Sequence, residues 1–250
     1  MTAQRERATS FGSVAHDYDR MRPGPPEQAL DWLIPPSCTT ALDLAAGTGL
    51  FTRALAARVP EVVAVEPDER MRTVLAQRSP QVRVLDGRAE AIPLPDASVD
   101  AVFVSAAWHW FDHPVAVPEI GRVLREGGRL GVLRTNRDRT VDWVFELDRG
   151  HAEQPQPSQE HLAGRFRFAL PEHSPFGQVE TTSFAFTRTM TLDEIVAWLS
   201  TYSQFIIADA EEKHARLTRV RELLETQAAG APTLDVPLTS QCWRTDRLPR

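Results

Sequence analysis

Two clusters of residues in this 250-residue chain have the types and spacing for chemistry. In the first, Gly47-Thr48-Gly49 separates an apolar run at residues 41–45 from a helix-spaced stretch beginning at Leu50. Glycines in such a turn let the backbone approach a ligand and adopt positive φ, and the helix start presents unpaired N–H groups to polar atoms. Asp43 lies inside the apolar run, and a carboxylate there needs a donor, either a ligand ammonium or the local backbone. Glu66 follows the β-branched run at residues 62–65, where an acid can accept both hydroxyls of a ribose. Together these features point to an adenosine-containing ligand. In the second cluster, Trp108-His109-Trp110-Phe111 comes shortly after Ser105 and an apolar run at residues 99–104. Three aromatics and a histidine form an apolar pocket wall. His109 titrates near neutrality and suits a general base; alternatively it is a structural histidine bonded to backbone while the tryptophans pack.

These residues need elements to position them. Short apolar runs at residues 41–45, 62–65, 82–85, 99–104 and 129–134 alternate with helix-spaced stretches at residues 50–59, 68–78 and 119–124. Asp68 is expected to cap the second of these helices, and Gly127-Gly128 to end the third. Asp112 and His113 are expected to cap the helix after the aromatic cluster. An earlier helix is read at residues 27–33, before Pro35-Pro36. Strand–helix–strand units at this spacing imply right-handed crossovers and a parallel sheet covered on both faces. Further on, residues 141–150, 192–200 and 211–227 read as helices, and residues 154–158 as a polar loop. Residues 179–188 and 234–245 read as strands, and with no crossover of the usual length between strands five and six they are read as an antiparallel edge. The expectation is an α/β, Rossmann-like, seven-stranded and mostly parallel sheet with an antiparallel C-terminal edge and a helical lid. A single domain is expected: lid segment 1–36, cofactor core 37–140, and substrate-side helices with the last two strands at 141–250.

Composition narrows the classes. The chain is 42% hydrophobic and 25% charged, enough for a core and too apolar for disorder. Its 28 basic and 34 acidic residues leave a net charge of −6, which disfavours bulk nucleic-acid binding. No long apolar run and no apolar stretch behind the charged N-terminus is present, so neither a membrane span nor a secretory signal is expected. Cys38 and Cys242 are too few for a disulfide framework, and a reduced cytoplasmic pair is expected. His151, His161 and His173 lack metal-ligand spacing, so no metal is expected. Lys213 is the only lysine, and Tyr18 and Tyr202 are the only tyrosines.

The segments ALDLAAGTG, VVAVEPDERM, GRAEAIPLPDASVDAVFVSAAWHWF and EIGRVLREGGRLGVL, in that order over residues 41–134, resemble class I S-adenosylmethionine-dependent methyltransferases. The resemblance is to the small-molecule branch of ubiquinone-biosynthesis and trans-aconitate type. It implies that Asp43, Ala45, Gly47 and Gly49 hold the methionine part of S-adenosylmethionine and Glu66 the ribose. Ala89 and Glu90 would border the adenine, Pro67 and Met71 would pack nearby, and Ser105 would line the same site. Ala45 stands where the family usually has its first glycine, and Arg88 where relatives often carry Asp.

FGSVAHDYDRMRPGPP resembles the family's N-terminal lid, making Tyr18 and Arg22 candidates for the cofactor carboxylate or the substrate, and Phe11 a substrate contact; Arg20 is read as surface. AWLSTYSQFI resembles the helical cover: Trp198 is read as core, while Tyr202 and Ser203 reach the acceptor. Trp108, His109, Trp110 and Asn136, the last after strand five, complete the substrate list, with His109 and Tyr18 as candidate catalytic groups. The implied reaction is in-line methyl transfer to a small-molecule or peptide acceptor, with oxygen preferred over nitrogen or carbon. Two other classes stay open. An NAD-linked oxidoreductase would want glycine where Thr52 stands, and against a non-catalytic module with a decayed site stand Asp43, both glycines and Glu66, all intact.

Overall fold

The computed structural model describes residues 19–149, 168–206 and 208–249. Phe11, Tyr18, His151, His161 and the loop expected at residues 154–158 lie outside the described residues. The element order is α1 (Glu27–Leu33), β1 (Thr40–Leu44), α2 (Leu50–Ala56), β2 (Glu61–Val65), α3 (Glu69–Arg78), β3 (Arg83–Leu85) and β4 (Val99–Ser105). A 3₁₀ turn (Trp108–Trp110), α4 (His113–Val123), β5 (Leu124–Arg137) and α5 (Asp142–Arg149) come next. The chain then forms β6 (Glu180–Thr191), α6 (Leu192–Ser200), α7 (Ser203–Ile206), α8 (Ala210–Ala228) and β7 (Thr233–Asp246).

The sheet runs β3-β2-β1-β4-β5-β7-β6. The pairs β3–β2, β2–β1, β1–β4 and β4–β5 are parallel. β7 runs antiparallel to β5: Arg247 N–H donates to Gly128 C=O at one end and Asp138 N–H to Pro237 C=O at the other. The sheet is therefore Rossmann-like, mostly parallel, with antiparallel C-terminal strands.

The chain divides into two compact units, a larger one of 24–135, 168–184 and 240–250 and a smaller one containing 136–167 and 185–239. The division falls at no linker. It cuts β5, β6 and β7, each of which begins in one unit and ends in the other. The larger unit packs Leu30, Leu33, Leu55, Leu75 and Phe103 into one core, with the Phe51 and Phe103 rings 5.8 Å apart. The smaller unit packs Met190, Ile195, Trp198, Leu199, Phe205, Leu224 and Val236 into another.

Caps explain several boundaries. Asp68 accepts from Arg70 N–H and Met71 N–H at the start of α3. Thr191 and Glu194 form a reciprocal capping box on α6, a signal not read from the sequence.

The region after the aromatic cluster corrects three expectations. α4 starts at His113, six residues before the expected Glu119, and passes through Pro118. One lost backbone bond is offset by the burial of Ala116, Val117, Ile120 and Val123. Gly127-Gly128 does not stop a helix, because β5 already begins at Leu124. The glycines instead form a bulge, where Val99 pairs with Leu124 but Ala101 with Arg129. Gly127 takes φ +72, and a Cβ on Gly128 would lie 2.8 Å from Arg125 O and 2.9 Å from Asp100 O. Finally, neither side chain caps α4: Asp112 makes no side-chain cap bond, and His113 Nε2 pairs with Trp108 O at 3.0 Å.

Candidate active site

The glycine turn is built on the C-terminal end of β1. Asp43 pairs in register with Ala64 on β2 and Phe103 on β4, so Gly47, Glu66 and Ser105 all follow the same edge of the sheet. Ligands of open α/β sheets bind at this edge. Glu66 ties the turn together: its Oε2 accepts from Gly47 N–H at 2.8 Å and its Oε1 from Asp68 N–H at 2.9 Å. Each carboxylate oxygen keeps a second acceptor position for a hydroxyl. Burial raises the Glu66 carboxyl above its ordinary value, despite those two N–H donors.

Asp43 is fully buried, and its donors come from Thr52, whose hydroxyl and backbone N–H both pull its carboxyl down. Its Oδ2 accepts from Thr52 Oγ1 at 2.5 Å, and its Oδ1 has no partner among the described residues. Burial pushes the carboxyl up to about 7 against the pull of the Thr52 hydroxyl, and the Glu66 charge adds to the rise. A buried acid with one unanswered oxygen fits a ligand cation. The turn fits a ligand too: Gly47 (φ +59) would meet nothing within 4 Å of an added Cβ, so its backbone borders open space. Gly49 (φ +84) is needed for packing, since an added Cβ would sit 2.9 Å from Leu75 Cγ. Ala45 takes φ +58, the left-handed conformation that the family's usual glycine adopts freely. These residues suit the ammonium, ribose and polar groups of S-adenosylmethionine.

The remaining cofactor-side candidates surround this turn in sequence and register. Pro67 C=O accepts from Arg72 Nη1, and Met71 is buried on α3. Ala89 is buried after β3, and Glu90 Oε1 accepts from Asp112 N–H at 2.9 Å, linking the loop after β3 to the start of α4. Ser105 pairs with Leu133.

Beyond Ser105, Ala106 takes φ +57 and turns the chain into the aromatic cluster. Trp108 is buried, stacks on His113 at 4.8 Å and contacts Phe168 at 4.8 Å between ring centroids. The His109 ring lies 4.4 Å from Trp110. His109 reaches solvent, yet the surrounding protein and the Arg134 cation push its imidazole down to about 4. It is uncharged at neutral pH and a weak base.

The smaller unit holds the other candidates. Arg22 donates through Nε to Thr201 Oγ1 at 3.1 Å and through Nη2 to Thr201 O at 3.3 Å, and its guanidinium lies 3.9 Å from the Tyr202 ring centroid. It fastens the N-terminal segment to the end of α6. Trp198 is buried in the core. Asn136 lies within β5, which runs to Arg137, not after it. Ser203 opens α7. Among the described residues no His, Cys, Asp and Glu cluster suits a metal. Thr52 and the Arg137–Asp148 pair were missed by sequence reading. Thr52 had a signal, as a hydroxyl where a dinucleotide fingerprint wants glycine; Arg137 and Asp148 had none, because their pairing depends on α5 folding back.

Residues 42–132 match the methyltransferase domain family. An uncharacterized methyltransferase of Mycobacterium tuberculosis is 40% identical, covering 97% of each chain. A malonyl-[acyl-carrier protein] O-methyltransferase of Methylococcus capsulatus is 37% identical over 48% of each chain. Among solved structures, a putative type II methyltransferase from Anaeromyxobacter dehalogenans aligns with a TM-score of 0.64 at 26% identity, covering 92% of this chain and 99% of that one. With the glycine turn, Asp43 and Glu66 arranged as described, the chain belongs to the class I methyltransferases and uses S-adenosylmethionine as its cofactor.

Proposed function

We propose that the enzyme methylates an oxygen of a small metabolite or peptide terminus, with a carboxylate the preferred acceptor. Bound S-adenosylmethionine supplies an activated methyl group on a sulfonium that leaves as a neutral thioether. The chain's residues then have to bind, align and exclude water. Asp43 and Glu66 hold the donor, and the Trp108–Phe111 wall shields the reacting face. The observation that carries the choice of acceptor is His109. Its imidazole, held near 4, draws little proton from a hydroxyl or ammonium, whereas a carboxylate attacks without a base. The Methylococcus relative, whose name assigns it O-methylation of a malonyl group, supports the same reading. The buried free thiols of Cys38 and Cys242, raised to about 11 and about 12 by burial, fit a reducing, cytoplasmic setting.

Release of S-adenosylhomocysteine across matched carboxylate, phenol and amine panels tests the proposal. Turnover is expected with carboxylates first. Turnover with amines alone would overturn oxygen transfer.

A further inference from the structure

Glu66 and Pro67 lie in the turn between β2 and α3, and the main chain of this turn is held from two sides. Glu66 N–H donates to Leu85 C=O, at the end of β3, at 3.1 Å. The Glu66 and Pro67 carbonyls both accept from Arg72 Nη1, each at 2.9 Å. Local structure puts Arg72 there. Asp68 caps α3, and Arg72, in the first turn of that helix, donates its N–H to Asp68 C=O at 2.9 Å. Helix side chains lean toward the N-terminus, so an arginine at this place reaches back over the residues before the cap. The same nitrogen meets Asp86 Oδ1, just after β3, at 3.1 Å. The Asp86 side chain is 73% exposed against 20% for Arg72, so this is a surface pair and worth little. The two carbonyls are the bonds that hold the turn.

That hold fixes the root of the Glu66 side chain. Its carboxylate bridges Gly47 N–H and Asp68 N–H, and where its remaining acceptor positions lie depends on where the Glu66 backbone sits. The neighbouring loop leaves little slack. A Cβ on Gly87 would lie 2.6 Å from Pro93 Cδ and 3.1 Å from Val65 Cγ1, the residue before Glu66. Arg72 also acts through charge. Burial raises the Glu66 carboxyl and the Asp68 charge adds to the rise, while the two N–H donors and the Arg72 cation oppose it. The anion is the form that accepts from two hydroxyls, since a protonated acid gives up part of its acceptor capacity to a donor.

We propose that Arg72 is a positioning residue of the cofactor site: by holding the Glu66 and Pro67 carbonyls it sets the Glu66 carboxylate to accept the ribose hydroxyls. It acts through Glu66. The proposal rests on Glu66 as the ribose acid and is independent of the methyl acceptor. A strap with a merely structural role would weaken every ligand alike, whereas one that aims Glu66 selects for the hydroxyls.

Calorimetric titration of the full chain with S-adenosylhomocysteine and with its 2′-deoxy analogue separates the two, with urea midpoints to verify that each variant is folded. The parent should prefer S-adenosylhomocysteine by about 10-fold, the range for one hydroxyl on a charged acceptor. Arg72→Gln should weaken S-adenosylhomocysteine by about 10-fold and the analogue by less than about 3-fold, leaving a preference below about 3-fold. Arg72→Lys, which keeps a cation and a donor, should retain most of the preference. Asp86→Asn removes only the exposed pair and should change either affinity by less than about 2-fold. Should Arg72→Gln fail to fold, Arg72→Met, which keeps the aliphatic packing, is judged by the same preference. A preference left near 10-fold in the variant overturns the proposal, however far both affinities fall. An Asp86→Asn loss equal to that of Arg72→Gln does so too, by moving the role to the surface pair. No preference in the parent overturns the ribose role of Glu66 and the proposal with it, and leaves the acceptor class untouched.

Discussion

At the scale of single residues, the site is made by side chains whose ordinary behaviour is displaced. Ala45 sits at φ +58, where a Cβ costs about 1–2 kcal/mol relative to the right-handed region. Glycine removes that strain but returns ~0.5–1 kcal/mol of chain entropy to the unfolded state. Ala45→Gly should therefore stabilise the protein by up to about 1 kcal/mol in urea unfolding, and loss of stability would show that the alanine methyl packs favourably. Thr52 matters through Asp43: with both groups fully buried, its hydroxyl is the one side-chain donor on that carboxylate. Thr52→Val should weaken S-adenosylhomocysteine binding by about 10-fold, the range for a charge-assisted bond, while Thr52→Ser should restore most of it. Equal affinities for the two variants would assign Thr52 to packing. For His109, displaced downward from 6.5 to about 4, the expectation concerns rate. A general base is worth ~10²–10⁴ in rate, so a loss below about 10-fold in His109→Gln, with kcat/KM showing no His109 titration between pH 6 and 8, marks a positioning role.

At the scale of elements, the bulge at Gly127-Gly128 lets β5 follow α4 without a connecting loop and still meet β4 in register at Ser105–Leu133. Gly128→Ala would press a Cβ against two backbone carbonyls, which cannot swing aside, and should destabilise the fold by about 1–3 kcal/mol. Urea midpoints of this variant and of Gly127→Ala, strained by its φ alone, separate crowding from conformation. The same bulge shows where sequence reading stops. Helices at Glu27–Leu33 and Leu192–Ser200 were legible to the residue, and the Asp68 cap was legible because it acts within three residues. Pro118 and the glycine pair read as breakers because their local propensity is that of breakers. Burial of the α4 face and strand pairing override them, and neither is encoded locally. The candidate site divides the same way. Gly47, Gly49, Asp43 and Glu66 carry a spacing that could be read. The bond from Thr52 to Asp43 and the sharing of Asp148 by Arg137 and Arg139 follow from how separate elements pack.

At the scale of the whole molecule, burial in the larger unit raises both Asp43 and Glu66. This shared burial links stability, pH and cofactor. The folded-state pKa of Asp43, about 7, lies above its ordinary value of 3.8. The free protein therefore holds a proton that the unfolded chain releases. The stability from this group is fully present below pH ~4 and is lost as pH rises through about 7, with Glu66 contributing in the same direction. A ligand ammonium beside Asp43 reverses the displacement and drives its proton off. Calorimetry of S-adenosylhomocysteine binding in buffers of different ionisation enthalpy should show release of close to one proton at pH 6 and almost none at pH 8. The rise in Tm on binding should accordingly be larger at pH 8, where the free protein bears the full cost of the buried charge. Asp43→Asn keeps the shape and the Thr52 bond but has no proton to lose, so its binding heat should be independent of buffer. Buffer-independent heats in the parent protein at pH 6 would mean that Asp43 is already ionised without ligand, and would remove the link between cofactor charge and this carboxylate.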